Sequence, residues 1–201
     1  GAGDAQDRVW GTGRDAERVG VLDGTNGATL ADLALDHGAA PGSLVLAEGA
    51  IDPIVCLEGE ERVVRLAFDG TIGDSADVGR MPRGLAITGD GACIFVTPFL
   101  AGGSPARVLE LDGATLAVAR DVELADDPGP DTAASGRGRP NYLGSIAITP
   151  DGHSALVASK KDNVARGGWR DGLDLDFEST VRTIVSRVDL GTGTAALGGR
   201  V

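Results

Sequence analysis

Residues 107–113 read RVLELDG, and related versions of this phrase recur along the chain. They are RVGVLDG at 18–24, RVVRLAFDG at 62–70 and RVDLG at 187–191. The first three versions begin 44 and then 45 residues apart, and the last begins 80 residues after the third. A nearly constant period of this length is the sequence signature of a repeat architecture.

A second phrase repeats beside the first and helps to define the unit. PRGLAITGDGACIFVT at 82–97 matches LGSIAITPDGHSALVAS at 143–159, and PGSLVLAEGAIDPIVCL at 41–57 is a looser copy. Each copy contains two short apolar runs separated by turn residues, which is the pattern of two strands joined by a hairpin.

The third unit shows the complete pattern of strands. Its short apolar runs lie at 84–88, 92–99, 106–111 and 116–124. Asp-Gly turns between such runs are strong hairpin signals, because Gly accepts the positive φ that tight turns require. Four antiparallel strands in about 40–45 residues form one blade of a β-propeller. We therefore predict an all-β fold, a β-propeller of four-stranded antiparallel blades.

About three and a half blades fit into the chain, whereas closed propellers typically have about 4–8. We predict blades at 7–35, 43–79, 84–124 and 144–201, with the first strand of the first blade missing. Such a partial ring leaves bare strand edges and an uncovered apolar face at each end. We expect the chain to be part of a longer propeller, or to close the ring by self-association, and we favour the first.

Two insertions, at 126–140 and 161–180, account for the extra length of the last unit. Both connections leave a propeller blade on the same face, and long loops on a rigid scaffold usually carry binding. Their basic and aromatic residues suit an anionic ligand or a protein partner; alternatively, they only tie down the two loops. The candidate binding residues are Arg137, Arg139, Asn141, Tyr142, Lys160, Asp162, Asn163, Arg166, Trp169 and Arg170.

Composition argues against several classes of partner and cofactor. The net charge of −12 repels nucleic-acid phosphates, so we expect no nucleic-acid partner. No apolar stretch approaches about 18 residues, so we expect no membrane insertion. Cys56 and Cys93 lie in apolar runs without a C-x-x-C-H motif, which favours buried free thiols and no cofactor within this chain.

The acidic residues of the second insertion form a candidate metal site. Asp171, Asp174, Asp176 and Glu178 could hold Ca²⁺, although Ser179 replaces the glycine of an EF-hand loop, and a solvated loop is the alternative. The histidines, His37 and His153, are isolated from each other in sequence, which disfavours a histidine-based metal site.

The matched phrases resemble the YVTN-type β-propeller repeat. Residues 136–190 further resemble the corresponding blade of bacterial YVTN propellers that are often joined to a c-type cytochrome, peroxidase-like region. The resemblance implies a periplasmic or extracellular protein whose haem chemistry belongs to a fused region outside these residues. It carries no catalytic residue onto this chain.

Two functions follow from these observations. The first is a non-catalytic interaction scaffold, part of a longer exported protein associated with cytochrome-type electron transfer, whose partner is a protein or a fused cytochrome-like domain. The alternative is a segment of a propeller enzyme, an oxidoreductase or lyase with its active site at the central channel. In that case Arg83, Asn141 and Tyr142 would stand at the mouth of the channel.

Overall fold

The repeated phrases fold into successive antiparallel meanders, each of four strands in chain order. The structure is a computed structural model that describes residues 2–101, 105–129, 137–162, 169–170, 173–174 and 181–200. No helix within these residues is long and apolar enough to cross a membrane.

The strands of the four blades have the following bounds. Blade 1 contains β1 (Ala2–Gly3), β2 (Arg8–Gly13), β3 (Arg18–Asp23) and β4 (Thr29–Ala34). Blade 2 contains β5 (Pro41–Val45), β6 (Ile54–Leu57), β7 (Arg62–Leu66) and β8 (Ile72–Asp77), with a 3₁₀ turn at Glu58–Glu60. Blade 3 contains β9 (Pro82–Ile87), β10 (Cys93–Pro98), β11 (Arg107–Asp112) and β12 (Val118–Glu123).

Blade 4 contains β13 (Arg139–Ile148), β14 (Ser154–Asp162), β17 (Val181–Asp189) and β18 (Thr194–Arg200). A two-stranded hairpin of β15 (Trp169–Arg170) and β16 (Leu173–Asp174) lies between its second and third strands. The structure differs from the sequence prediction in blade 1, where the first strand is present as the two residues of β1. These pair with Val9 and Trp10 of β2.

Threonine and aspartate make the same hairpin in blades 3 and 4. Thr88 Oγ1 donates a hydrogen bond to Asp90 Oδ1 at 2.6 Å, and Thr149 Oγ1 donates to Asp151 Oδ1 at 2.5 Å. In each case the threonine hydroxyl is the main cause that lowers the pKa of the aspartate. The repeated ITGDG and ITPDG sequences therefore encode one turn with the same hydrogen bonds.

The aspartate that closes the RVLELDG phrase has a matching role in the turn after the third strand. Asp112 Oδ1 accepts hydrogen bonds from the amide and hydroxyl of Thr115 at 2.8 and 2.9 Å. Asp189 Oδ1 accepts the same pair from Thr192, again at 2.8 and 2.9 Å. The phrase recurs because this carboxylate orders the turn into the fourth strand.

The last copy of the phrase is shifted relative to its sequence alignment. Asp112 lies opposite Cys93, and Asp189 lies opposite Ser154, so the two aspartates are equivalent. Arg187 is therefore equivalent to Glu110 of blade 3, and not to Arg107, the arginine that opens RVLELDG. The turn residue, rather than the arginine, sets the register.

A left-handed backbone residue leads into the inner strand of three blades. Ala40, Met81 and Tyr142 have φ of 47°, 54° and 52°. The first two precede Pro41 and Pro82, which open β5 and β9, and Tyr142 lies at the register shift within β13. A positive φ is strained for residues other than glycine, so the repeat imposes this conformation whatever the side chain.

Apolar clusters fill the three interfaces between adjacent blades. Both faces of β6 and β10 are covered, which explains why their sequences are continuously apolar rather than alternating. The outward faces of blades 1 and 4 are different. Phe95 of β10 is 1% exposed against blade 4, whereas Leu156, at the equivalent position of β14, is 40% exposed.

Candidate functional site at the rim of the blades

The inner strands begin, and the second strands end, at one edge of the blades, which we call the rim. Glu58 N donates to Ala40 O at 3.1 Å, and Phe99 N donates to Met81 O at 3.0 Å, so these chain segments are adjacent. In blade 4 the two long insertions also begin and end there. The rim is therefore where connections between strands can vary without disturbing the sheets.

One structural position at the rim carries a different side chain in each blade. The position follows the residue that ends β2, β6 or β10, and its equivalent in blade 4 lies within the longer β14. Its occupants are Arg14, Glu58, Phe99 and Lys160. With Arg83 and Tyr142 from the inner strands they form a continuous set of contacts, which we call the cross-blade row.

Glu58 of blade 2 connects Arg14 of blade 1 to Arg83 of blade 3. Its side chain is only 5% exposed, and its Oε2 accepts hydrogen bonds from Arg14 and Arg83, each at 3.0 Å. Gly42 provides the space, since a Cβ there would approach Glu58 Oε1 to 2.6 Å. A nearly buried carboxylate bonded to two guanidinium groups fixes the position of both cations.

Aromatic rings carry the row on to blade 4. The Arg83 guanidinium lies 3.9 Å from the centroid of the Phe99 ring. Phe99 and Tyr142 pack edge to face, with their ring centroids 4.9 Å apart and an interplanar angle of 77°. Lys160 Nζ lies 4.0 Å from the centroid of the Tyr142 ring. The row thus ends with an exposed tyrosine between an aromatic ring and a cation.

Hydrogen bonds position the blade 4 end of the row. Asn141 Nδ2 donates to Asp162 Oδ2 at 2.6 Å, and Lys160 Nζ lies 2.8 Å from Asp162 Oδ1. The Ala101 amide donates to Asn141 Oδ1 at 3.0 Å, which connects blade 3 to the same network. Tyr142 and Lys160 are consequently held by contacts from two blades.

The base of the first insertion is closed by a buried ion pair. Asp127 and Gly138 exchange two backbone hydrogen bonds, and Lys161 Nζ lies 2.8 Å from Asp127 Oδ2. The side chains of Lys161 and Asp127 are 5% and 0% exposed. Only glycine fits at 138, because a Cβ there would lie 2.4 Å from the Asp162 carbonyl oxygen. The insertion therefore leaves the rim from a fixed position.

The structure brings together four of the candidate binding residues: Asn141, Tyr142, Lys160 and Asp162. Arg83, which the sequence analysis named with the enzyme alternative, joins them through Phe99. Arg139 lies opposite Asp162 in the register of β13 and β14, and its side chain forms an ion pair with Asp126 at 3.1 Å. Arg137 is exposed beside the base of the first insertion. Asn163 and Arg166 lie outside the described residues, and Trp169 and Arg170 are described only as the backbone of β15.

The predicted Ca²⁺ ligands also fall mostly outside the described residues. Asp171, Asp176 and Glu178 lie outside the described residues. Asp174 is described only as part of the backbone of β16. Among the described residues, no three His, Cys, Asp or Glu side chains are grouped to hold a metal ion.

Both cysteines are free thiols. Burial raises the pKa of Cys56 to about 12, and burial likewise raises the pKa of Cys93. Because the thiolate is the reactive form, these environments make both side chains poor nucleophiles at neutral pH.

Sequence reasoning did not identify Arg14, Glu58 and Phe99 as site residues. They differ in chemistry and are far apart in the chain, so no local motif connects them. A comparison of the position that follows each second strand would have aligned them with Lys160. That signal requires the strand register, which turn residues give only approximately.

Comparison with known proteins reveals likeness in structure only, since no family model and no curated protein sequence matches this chain. Hydrazine synthase from Kuenenia stuttgartiensis matches 96% of this chain with a TM-score of 0.71 and 14% identity. The dihydro-heme d1 dehydrogenase NirN, solved in complex with DHE, matches 98% with a TM-score of 0.54 and 14% identity. A protein from Lactobacillus plantarum matches 99% with a TM-score of 0.61 and 13% identity.

These structures are β-propeller proteins, and the predicted all-β propeller fold is confirmed. The chain spans about half the length of each match, namely 46%, 54% and 53%. At identities this low the likeness defines the fold and leaves the activity open.

Proposed function

We propose that this chain is a binding scaffold whose rim holds a protein partner, and that the partner is a cytochrome-like domain. The observation that carries the proposal is the cross-blade row. It places two partly exposed cations, Arg83 and Lys160, on aromatic rings along one edge of blades 3 and 4. Arginine and tyrosine anchored in this way are the residue types that dominate binding energy at protein interfaces.

Pre-organisation supports the same function. Tyr142 is 39% exposed, yet Phe99 packs against its ring edge to face, and Lys160 lies over its face. A side chain that is already ordered loses little conformational entropy when a partner covers it. The fixed base of the first insertion adds a second element at the rim that does not have to be ordered on binding.

The proposed identity of the partner has two supports. The YVTN-type resemblance of residues 136–190 implies a cytochrome-type partner or fused region. In addition, one similar structure is named as a dehydrogenase acting on dihydro-heme d1. We accordingly propose a periplasmic or extracellular location, with the haem in the partner.

The test is a titration of the chain with a purified c-type cytochrome domain, with the heat of binding measured by calorimetry. Tyr142→Ala and Lys160→Ala should each weaken binding by about tenfold or more, as expected for central interface residues. Arg18→Ala is the matched control, because Arg18 is an exposed arginine paired with Asp32 on the outer strands of blade 1. Unchanged affinity in both rim variants would contradict the proposal.

A second candidate function is catalysis at the rim, within a complete propeller enzyme. It is favoured by the names of two similar structures, a synthase and a dehydrogenase. Substitution separates the two functions. In an enzyme, Arg83→Met and Tyr142→Phe would reduce kcat in the full-length protein while the partner still binds. In a scaffold, the same variants change affinity and leave the turnover of the bound partner unaltered.

A further inference from the structure

A cavity of about 390 Å³ lies at the rim between blades 2 and 3, and none of the predicted site residues is among the residues that line it. Its walls are mainly apolar and include Val78, Pro98, Leu100 and Leu109. Val78 and Leu109 are 1% and 8% exposed, so they form a floor that belongs to the core between the blades. The volume falls within the range of about 300–1,000 Å³ that is typical of small-molecule sites.

Two opposite charges border this apolar floor. Asp77 and Arg80 both line the cavity and are exposed. Val78 and Gly79 lie between them in the chain, and Gly79 has a φ of 86°. Arg107 also lines the cavity, but its guanidinium is engaged by Asp121 of β12.

The charges of Asp77 and Arg80 are available to a ligand. Among the described residues, neither side chain forms an ion pair or a side-chain hydrogen bond, and the two do not pair with each other. The carboxylate side of the cavity continues into a second concavity lined by Glu60, Glu61 and the same Asp77. Glu60 is ion-paired with Arg62, so the negative charge on this side of the cavity comes from Asp77 and the exposed Glu61, and the positive charge on the other side comes from Arg80.

We propose that this cavity binds a zwitterion with an apolar body, the simplest being a free amino acid with a large apolar side chain. The ligand's carboxylate accepts charge-assisted hydrogen bonds from Arg80, and its ammonium group donates to Asp77. The apolar side chain covers Val78, Leu100 and Leu109 and gains the free energy of removing their surface from water. A ligand that carries only one of the two charges leaves the other rim residue without a partner.

The segment Pro98–Ala101 connects this cavity to the cross-blade row. Pro98, Leu100 and Ala101 line the cavity, whereas Phe99 between them contacts Arg83 and Tyr142. The two sites nevertheless use different side chains. Loss of amino-acid binding and loss of partner binding can therefore be separated by substitution.

The test is a titration with L-phenylalanine, monitored by the backbone amide NMR signals of Val78, Gly79, Leu100 and Ala101. N-acetyl-L-phenylalanine lacks the ammonium group, and L-phenylalaninamide lacks the carboxylate. We expect both analogues to bind at least about tenfold more weakly, because each loses one charge-assisted contact. Equal affinities for all three compounds would overturn the proposal, as would shifts confined to the outward faces of blades 1 and 4.

Two substitutions assign the charges, and a third serves as the control. Arg80→Met should abolish the preference for phenylalanine over its amide and keep the preference over the acetyl derivative. Asp77→Asn should abolish the preference for phenylalanine over its acetyl derivative and keep the preference over the amide. Arg18→Met on blade 1 should change neither preference. If Arg80→Met and Asp77→Asn keep both preferences while their spectra remain folded, the cavity does not recognise a zwitterion.

Discussion

Blades 3 and 4 are two copies of one unit, and the differences between them separate what the fold requires from what is free to vary. Both use a threonine–aspartate hairpin after the first strand and an aspartate–threonine turn after the third. At the rim they diverge, with Phe99 in one blade and Lys160 at the equivalent position of the other. The turns specify the frame, and the rim carries the individual chemistry.

The largest effect on stability should come from the position of Phe95 and Leu156, which is buried in blade 3 and exposed in blade 4. Phe95→Ala should cost about 3–5 kcal/mol of unfolding free energy, because it opens a cavity in the cluster between blades 3 and 4. Leu156→Ala, at the equivalent position of blade 4, should stay within about 0.5 kcal/mol, as surface substitutions usually do. Urea unfolding of both variants measures the difference.

A large loss of unfolding free energy in Leu156→Ala would contradict the expected difference between the two positions. It would mean that the outward face of blade 4 is covered in solution, as expected if the chain self-associates to close a ring. Light scattering on the unmodified chain then gives the mass of the assembly, and the Leu156→Ala variant should reduce that mass.

An intermediate effect is expected from acid, acting on the hairpins that the two blades share. The pKa values of Asp90 and Asp151 are lowered from the ordinary 3.8, so each carboxylate stabilises the fold above that pH. The contribution is lost as the pH falls through the lower, folded-state pKa. Tm should therefore fall below about pH 4, and the fall should be shallower in Asp90→Asn and Asp151→Asn.

The two hairpins should respond similarly, with a larger change for Asp151, because His153 and Arg187 also lower the pKa of that carboxyl. Thermal unfolding between pH 6 and pH 2 provides the measurement. If neither substitution changes how Tm falls at acidic pH, these turns contribute nothing to the pH dependence of stability.

The smallest effect on stability should come from the rim. Lys160→Met should change the free energy of unfolding by less than about 1 kcal/mol, since its ion pair with Asp162 is partly exposed. The neighbouring Lys161→Met is the control. It removes the ion pair between Lys161 and the buried carboxylate of Asp127 and should cost about 3 kcal/mol or more. If both variants lose a similar amount of unfolding free energy, the cross-blade row stabilises the fold as much as the buried ion pair does.

The fold was predictable from sequence because turns are local. Asp-Gly pairs, short apolar runs and a period of 44 to 45 residues identify the blades without any knowledge of contacts between them. The register of the last phrase was not predictable in this way, since Arg187 and Asp189 give conflicting alignments and only strand pairing decides between them. β1 was missed because two residues carry no periodic signal.

The candidate site was only partly predictable, for a related reason. Asn141, Tyr142, Lys160 and Asp162 stood out because polar and aromatic residues are concentrated near the insertions. Arg14, Glu58 and Phe99 join them through contacts between blades, and such contacts depend on how the sheets pack rather than on any local pattern. The amino-acid cavity depends in the same way on the packing of blade 2 against blade 3.

The left-handed residues before the inner strands have a consequence for engineering. Ala40, Met81 and Tyr142 occupy one backbone position, and the frame accepts a methyl group, a thioether or a phenol there with nearly the same φ. A designer can therefore exchange side chains among blades at this position without rebuilding a loop. Duplicated blades provide evolution with the same opportunity, because one copy can acquire new specificity while the others preserve the fold.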